Sequence, residues 1–110
     1  MSSALRLLYV TAPNNEEAHA IAQALIEKRL IACANIFPQV QSVYRWNEKI
    51  QIDSEVVMTL KTEEELVQTV IDMICELHSY DVPCVISLPI EHGSRAYLDW
   101  IKKECQTESR

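Results

Sequence analysis

A chain of 110 residues has room for one domain with a single hydrophobic core, and its 48% hydrophobic and 24% charged residues are typical of a globular protein. The formal net charge is −6, and no basic cluster is longer than the pair Lys102-Lys103, which argues against nucleic acid as a partner. No apolar stretch approaches the roughly 18 residues of a membrane span, and no secretory signal is evident, so we expect a cytoplasmic protein without membrane contact. We expect one domain over 1–110, with its core over 5–105 and a frayed tail over 106–110.

The N-terminal part predicts a strand followed by a helix. Residues 5–12 form a nearly continuous apolar run that ends at Pro13, which indicates a buried central strand. Apolar residues then recur at helical spacing, with Asn14 or Asn15 as the cap and acidic residues in the first turn. We expect this helix to end at about Arg29.

The middle of the chain predicts a long, bent hairpin. Residues 31–37 and 40–46 are two extended segments separated by Pro38, and residues 50–62 form the returning strand. The turn falls on Asn47-Glu48, where we expect Asn47, and not Glu48, to adopt the left-handed conformation because asparagine tolerates it better.

The C-terminal part predicts a helix, a strand and a last helix. Thr62 with Glu65 three residues later reads as a capping box for a second helix that ends near His78. Residues 84–90 form the fourth strand and 94–105 the third helix.

The predicted order is therefore β-α-β-β-α-β with a C-terminal helix, which is the α+β, ferredoxin-like arrangement. In this fold two helices cover one face of an antiparallel sheet and leave the other face open. Because strands one and three are apolar almost throughout, that second face must be covered by the third helix or by neighbouring subunits.

Six short segments carry a family resemblance: 9–13, 29–36, 44–46, 61–62, 78–83 and 88–93. In order and spacing they resemble the VTAP, LAACxNI, YxW, KT, HPYxxP and LP-G signatures of the CutA divalent-cation tolerance family. The last segment is followed by Tyr97-Leu98-Asp99-Trp100, which resembles that family's YLxW. The resemblance covers nearly the whole chain.

The resemblance implies a tight homotrimer in which long, bent second and third strands extend across neighbouring subunits. It also implies a part in the tolerance of divalent metals, copper especially, and a likeness to trimeric signalling proteins of the PII type. The chain departs from the family pattern at Glu48, Ser79 and Cys84, where relatives commonly carry Gly, Pro and Glu. Some relatives carry Cys and His at the positions of Val10 and Leu77.

Three residues are candidate metal ligands. His78 matches the family's HPY position, and neutral imidazole suits Cu²⁺ and Zn²⁺; the alternative is that His78 caps the end of the second helix. Cys33 matches the LAAC position, with a packed core thiol as the alternative. Cys84 lies across a short loop from His78, so this pair could hold a soft or borderline metal.

A ligand cleft between subunits is the second candidate site. Its predicted residues combine aromatic and charged side chains, as small-molecule clefts do, and are Tyr44, Trp46, Lys61, Tyr80 and Glu91. The alternative is that Tyr44 and Trp46 anchor the subunit interface. The residues indicate no organic cofactor and identify no protein partner.

An enzyme is the alternative function. The chain contains no GxSxG, HExxH or phosphate-binding glycine loop, so we expect no catalytic residues. If the protein were a small-molecule enzyme, Lys61, Glu91 and His78 would be its functional residues at the same cleft.

Overall fold

The computed structural model describes residues 4–105, so the predicted frayed tail over 106–110 lies outside the described residues. The elements in chain order are β1 (Leu5–Ala12), α1 (Asn15–Glu27), β2 (Cys33–Trp46), β3 (Lys49–Glu63), a 3-10 turn (Glu64–Leu66), α2 (Val67–Leu77), β4 (Val85–Ile90) and α3 (Arg95–Glu104). The sheet has the order β2-β3-β1-β4 with antiparallel neighbours throughout. The predicted ferredoxin-like arrangement is confirmed. No helix of the described residues is long and apolar enough to cross a membrane.

The core lies between the helices and one face of the sheet. Alternate residues of the two central strands point into it, because side chains alternate sides along a strand. Leu8 and Val10 of β1 and Met58 and Leu60 of β3 are completely buried there. They pack in one cluster with Ile21 and Leu25 of α1 and with Val70 and Ile74 of α2.

Helix α1 begins as predicted and ends two residues early. The Asn14 side chain accepts a hydrogen bond from the Glu17 backbone N–H at 2.8 Å, which satisfies one of the free donors of the first turn. The helix ends at Glu27, and Arg29 has a φ of 58°. This left-handed residue reverses the chain toward β2.

The hairpin of β2 and β3 is continuous where a break was expected. Strand β2 runs through Pro38, and the disturbance is a register shift between Phe37 and Val40. Proline is tolerated there because β2 is an edge strand and one residue's N–H is not needed for pairing.

The turn differs from the prediction. Asn47 and Glu48 both have positive φ, 50° and 65°, so the expectation that Asn47 alone is left-handed was wrong. Positive φ at both central residues is characteristic of a type I′ turn, one of the two-residue turns that follow the right-handed twist of their strands.

The predicted capping box at the start of α2 was also wrong. Thr62 belongs to β3, is fully buried, and donates its hydroxyl to the Leu30 carbonyl at 2.5 Å. The chain enters the helical region after Glu63, which makes no side-chain cap, and passes through the 3-10 turn. The hydroxyl thus ties β3 to the chain that follows α1, and this long-range contact outweighs the local capping pattern.

The open face of the sheet stays exposed in the single protomer. Ile86 and Leu88 of β4 and Phe37 of β2 lie on this side, and each is about half exposed. Helix α3 buries Ile101 and packs Leu98 against the core, but it does not cover these three residues. We expected either the third helix or neighbouring subunits to cover this face. The third helix alone does not cover it.

Candidate functional site

His78 lies at the end of α2, and its side chain is completely buried. Its Nε2 lies 2.7 Å from the Thr11 carbonyl oxygen, and its Nδ1 accepts a hydrogen bond from the Tyr80 N–H at 3.1 Å. Since Nδ1 accepts and a carbonyl cannot donate, this pattern assigns the proton to Nε2. Both ring nitrogens are therefore engaged within the protein, and a metal at either one would displace a hydrogen bond.

The imidazole of His78 does not cap α2. It is the His78 backbone N–H that continues the helical pattern, donating to the Ile74 carbonyl at 2.8 Å. The ring instead bridges α2 to the end of β1 through Thr11.

Glu17 fastens the loop that follows His78. Its Oε2 accepts hydrogen bonds from the backbone N–H and the hydroxyl of Ser79, at 2.9 and 3.0 Å, and lies 3.3 Å from His78 Nδ1. The N–H of Ser79 would be missing in a proline, which is the residue that the resemblance leads one to expect here. Ser79 therefore adds a contact to α1 that the family pattern cannot make.

The two cysteines predicted as metal ligands, Cys33 and Cys84, lie in different surroundings. Cys84 is exposed, and its carbonyl accepts a hydrogen bond from the Thr11 N–H at 3.4 Å. His78 and Cys84 are thus both held to the backbone of Thr11. Cys33 is half buried at the other end of the sheet, with its Sγ 3.9 Å from Lys61 Nζ.

No group of three or more His, Cys, Asp or Glu residues within 4–105 is placed to hold a metal ion. The predicted ligands His78 and Cys84 consequently have no third partner of these types in the part of the protomer that the structure describes. Their assignment as metal ligands stays a prediction.

Tyr44 and Tyr80 each donate a hydrogen bond to a carboxylate of β3. Tyr44 bonds to Asp53, and Tyr80 to Glu55 at 2.7 Å. The hydrogen bond to Asp53 raises the pKa of Tyr44, and burial followed by the hydrogen bond to Glu55 raises the pKa of Tyr80 above its ordinary value. The two phenols are therefore held protonated, as donors.

Lys61 belongs to a separate cluster that also contains Asn35, Tyr97 and Trp100. Its Nζ lies 2.6 Å from Asn35 Oδ1 and 5.8 Å from the centroid of the Tyr97 ring. Tyr97 in turn stacks on Trp100, with the ring centroids 5.5 Å apart. Lys61 is six residues from Glu55 along β3, which corresponds to about 20 Å in an extended strand.

Within one protomer the five predicted cleft residues therefore do not form one site. Tyr44 and Tyr80 lie beside the acidic middle of β3, and Trp46 lies next to the turn, opposite Lys49. Glu91 follows the end of β4. Their convergence between subunits stays a prediction.

Sequence reasoning missed Asn35, Asp53 and Glu55. Asn35 lies on the same side of β2 as Cys33, whose cross-strand partner is Lys61, so strand alternation together with the register would have found it. The pairing register of β2 and β3 was not predictable, because the register shift between Phe37 and Val40 changes the cross-strand partners of residues 33–37.

A shallow pocket of about 230 Å³ lies between the loop after β1 and the disturbed part of the hairpin. Residues 13–15, 38–39 and 54–56 line it. Among the predicted metal and cleft residues, none lines this pocket.

Comparison with known proteins gives the family. Residues 6–104 match the model of the family described as CutA1 divalent ion tolerance protein. The chain belongs to this family. The resemblance on which the sequence prediction depended is confirmed.

Relatives of this CutA-family chain come from distant organisms. Protein CutA of Homo sapiens is 45% identical over 101 residues, which cover 92% of this chain but only 56% of the human protein. The divalent-cation tolerance protein CutA of Archaeoglobus fulgidus is 46% identical over 94 residues, 86% of this chain and 91% of that protein. The chain thus spans little more than half of its human relative and most of its archaeal one.

Solved structures of the family agree with the fold. CutA1 from Ehrlichia chaffeensis has a TM-score of 0.92 at 34% identity, over 97% of this chain and 100% of that one. CutA1 from Oryza sativa has a TM-score of 0.91 at 40% identity, over 94% of each chain. A relative in Arabidopsis thaliana is named as chloroplastic and the solved Archaeoglobus fulgidus protein is described as periplasmic, so the compartment varies within the family. The cytoplasmic location of this chain stays a prediction.

Proposed function

We propose that this CutA-family chain acts as a homotrimer in divalent-cation tolerance, and that it binds a ligand or a metal such as Cu²⁺ near the cleft between subunits. The observation that carries the proposal is the apolar surface of the projecting hairpin. Val43, Ile50 and Ile52 are exposed at 65%, 69% and 63%. Monomeric proteins seldom expose large aliphatic side chains as a contiguous patch.

These three side chains share one side of the hairpin. Val43 pairs directly with Ile52, and Ile50 is two residues from Ile52 on the same strand. Since strand residues two apart point to the same side, the three form one surface.

The hairpin also lacks support within the protomer. Strand β1 pairs with β3 only from Val56 to Glu63, so residues 49–55 pair with β2 alone and extend a molecule of 48 × 26 × 22 Å. Two-stranded hairpins are at best marginally stable in water, which favours a packing partner for this one. Three copies related by a rotation axis would supply that partner to every hairpin and leave no subunit unpaired.

The assembly is tested by native mass spectrometry of the purified chain. We expect the mass of a trimer for the native chain and of a monomer for Ile52→Lys, because the new charge is buried in the proposed interface. Thr69→Lys introduces the same charge on the exposed side of α2 and is the matched control, expected to remain trimeric. Circular dichroism checks that each variant is folded. A monomeric native chain, or a trimeric Ile52→Lys variant, would overturn the proposal.

Metal binding is tested separately by titration with Cu²⁺ alone. If His78 and Cys84 bind copper, His78→Ala and Cys84→Ser each lower the stoichiometry, whereas His92→Ala, which removes an exposed histidine, leaves it unchanged. Cys33→Ser tests the third candidate. Because His78 is buried, Cys84→Ser decides the question if His78→Ala does not fold. Equal copper stoichiometry in all variants refutes the ligand assignment.

No specific observation favours the alternative of a small-molecule enzyme. His78 lies beside Thr11 at one end of β1, whereas Lys61 pairs with Leu7 at the other. We keep the cytoplasm as the proposed compartment.

A further inference from the structure

We propose that Lys61, Asn35 and the stacked pair Tyr97 and Trp100 form a binding site for a small organic anion, namely a carboxylate attached to a planar apolar group. The inference names a ligand class for the cleft and in that respect rests on the proposed function. It concerns a different end of the sheet from His78.

The ammonium of Lys61 has no counter-charge among residues 4–105. Its contacts are the neutral amide oxygen of Asn35 at 2.6 Å and the sulfur of Cys33 at 3.9 Å. Within residues 4–105 no carboxylate oxygen lies within 4.0 Å of it, whereas Arg6 has Glu64 at 3.0 Å. Partial burial of an ammonium without an anion costs free energy. An ammonium has three N–H donors, so that of Lys61 can still donate a hydrogen bond to a ligand.

The surroundings of Lys61 strengthen its attraction for an anion. Its cross-strand neighbours are Cys33 on β2 and Leu7 on β1, and Leu7 is followed across the sheet by Leu88. Charge interactions are stronger beside such low-polarity side chains than in water.

The aromatic pair supplies the apolar part of the site. The Tyr97 ring lies beside the ammonium, and Trp100 stacks on it at an interplanar angle of 25°. Each of the two residues keeps 39% of its surface exposed. Flat, accessible aromatic surface next to a fixed charge matches a ligand that joins a planar group to a carboxylate.

The probes are three compounds with the same ring and different charge: benzoate, neutral benzamide and cationic benzamidine. Each is titrated into the full chain and followed by two-dimensional ¹H–¹⁵N NMR. We expect benzoate to bind at least about tenfold more tightly than benzamide, because a charge-assisted hydrogen bond distinguishes them. Benzamidine is expected not to bind, and the largest benzoate shifts should fall on Asn35, Lys61 and the indole N–H of Trp100.

Substitutions of Lys61 distinguish the effect of its positive charge from the effect of its side-chain length. Lys61→Met keeps the length of the side chain and is expected to weaken benzoate binding about tenfold or more, whereas Lys61→Arg keeps it within a few-fold. Lys49→Met, which removes an exposed lysine of the hairpin, is the matched control and leaves the affinity unchanged.

Three outcomes would overturn the proposal: equal binding of the three probes, unchanged benzoate affinity in Lys61→Met, or no benzoate binding at about 10 mM, where a Kd of about 1 mM would nearly saturate the site. Absent benzoate binding together with dissociation of the Lys61→Met assembly would assign Lys61 to a carboxylate of a second copy instead. The probe series on the native chain decides even if a variant fails to fold. The benzoate titration can still be interpreted if the native chain is monomeric or does not bind copper. Each proposal can therefore be refuted without the other.

Discussion

Replacement of Tyr80 by phenylalanine tests the hydrogen bond that connects the loop after α2 to β3. The change removes only the hydroxyl, which donates to Glu55 at 2.7 Å, and keeps the ring that contacts His78 with centroids 4.7 Å apart. Hydrogen bonds to charged groups contribute about 1.5–3 kcal/mol, and partial exposure of this pair places it toward the lower end. We therefore expect Tyr80→Phe to lower the free energy of unfolding by about 1–2 kcal/mol at pH 8, measured by urea denaturation.

The pH dependence of this loss distinguishes a hydrogen bond from a packing defect. The pKa of Tyr80 is raised in the folded protein from 10.0, so the folded state holds this proton more tightly than the unfolded state. The stabilisation is complete below pH 10 and falls as pH rises above 10, by up to about 1.4 kcal/mol per pH unit. The difference between the native chain and Tyr80→Phe should therefore shrink above pH 10. A difference that stays constant from pH 8 to 12 refutes the reasoning. Tyr44→Phe removes the corresponding hydrogen bond to Asp53 from a more exposed tyrosine and is the comparison, with a smaller expected loss at pH 8.

Four further substitutions test the fold that positions the site, each by its denaturation midpoint. Glu48→Gly should stabilise the protein by about 0.5–1 kcal/mol because glycine adopts the left-handed turn without strain. Asn47→Gly should increase the stability less, because asparagine tolerates this conformation better. If Glu48→Gly lowers the stability, Glu48 is not strained in the native turn. Thr62→Val should cost about 1–3 kcal/mol by leaving the Leu30 carbonyl unpaired, and an unchanged midpoint would show that this bond contributes nothing. Met58→Ala should cost about 2–5 kcal/mol because the side chain is fully buried, and a loss below about 1 kcal/mol would contradict its place in the core.

The order of strands and helices could be predicted because each element has a clear apolar period and a recognisable end. Asn14 capped α1 as expected, since a cap depends on residues that are close in the chain. The capping box at Thr62 failed for the opposite reason. Its hydroxyl found a partner 32 residues away, at Leu30, and no local pattern announces such a contact.

The candidate site was predictable in its residue types and not in its arrangement. The sequence singled out His78 and Lys61 as candidates, and their roles stay predictions, whereas the completed hydrogen bonds of His78 were not foreseen. Asn35 was overlooked because the sequence does not show which residue of β2 meets Lys61. That pairing depends on the register of two strands separated by a long hairpin.

The amino-acid sequence alone determined the family, the order of elements and the ferredoxin-like arrangement, because these follow from periodicity and from motifs that are local in the chain. Only the tertiary structure decided that both nitrogens of His78 are engaged, and that Lys61 stands beside an amide and an aromatic ring, with no carboxylate from residues 4–105 within 4.0 Å. Contacts of this kind join residues that are distant along the chain. They are set by strand register and packing, which a single sequence leaves open.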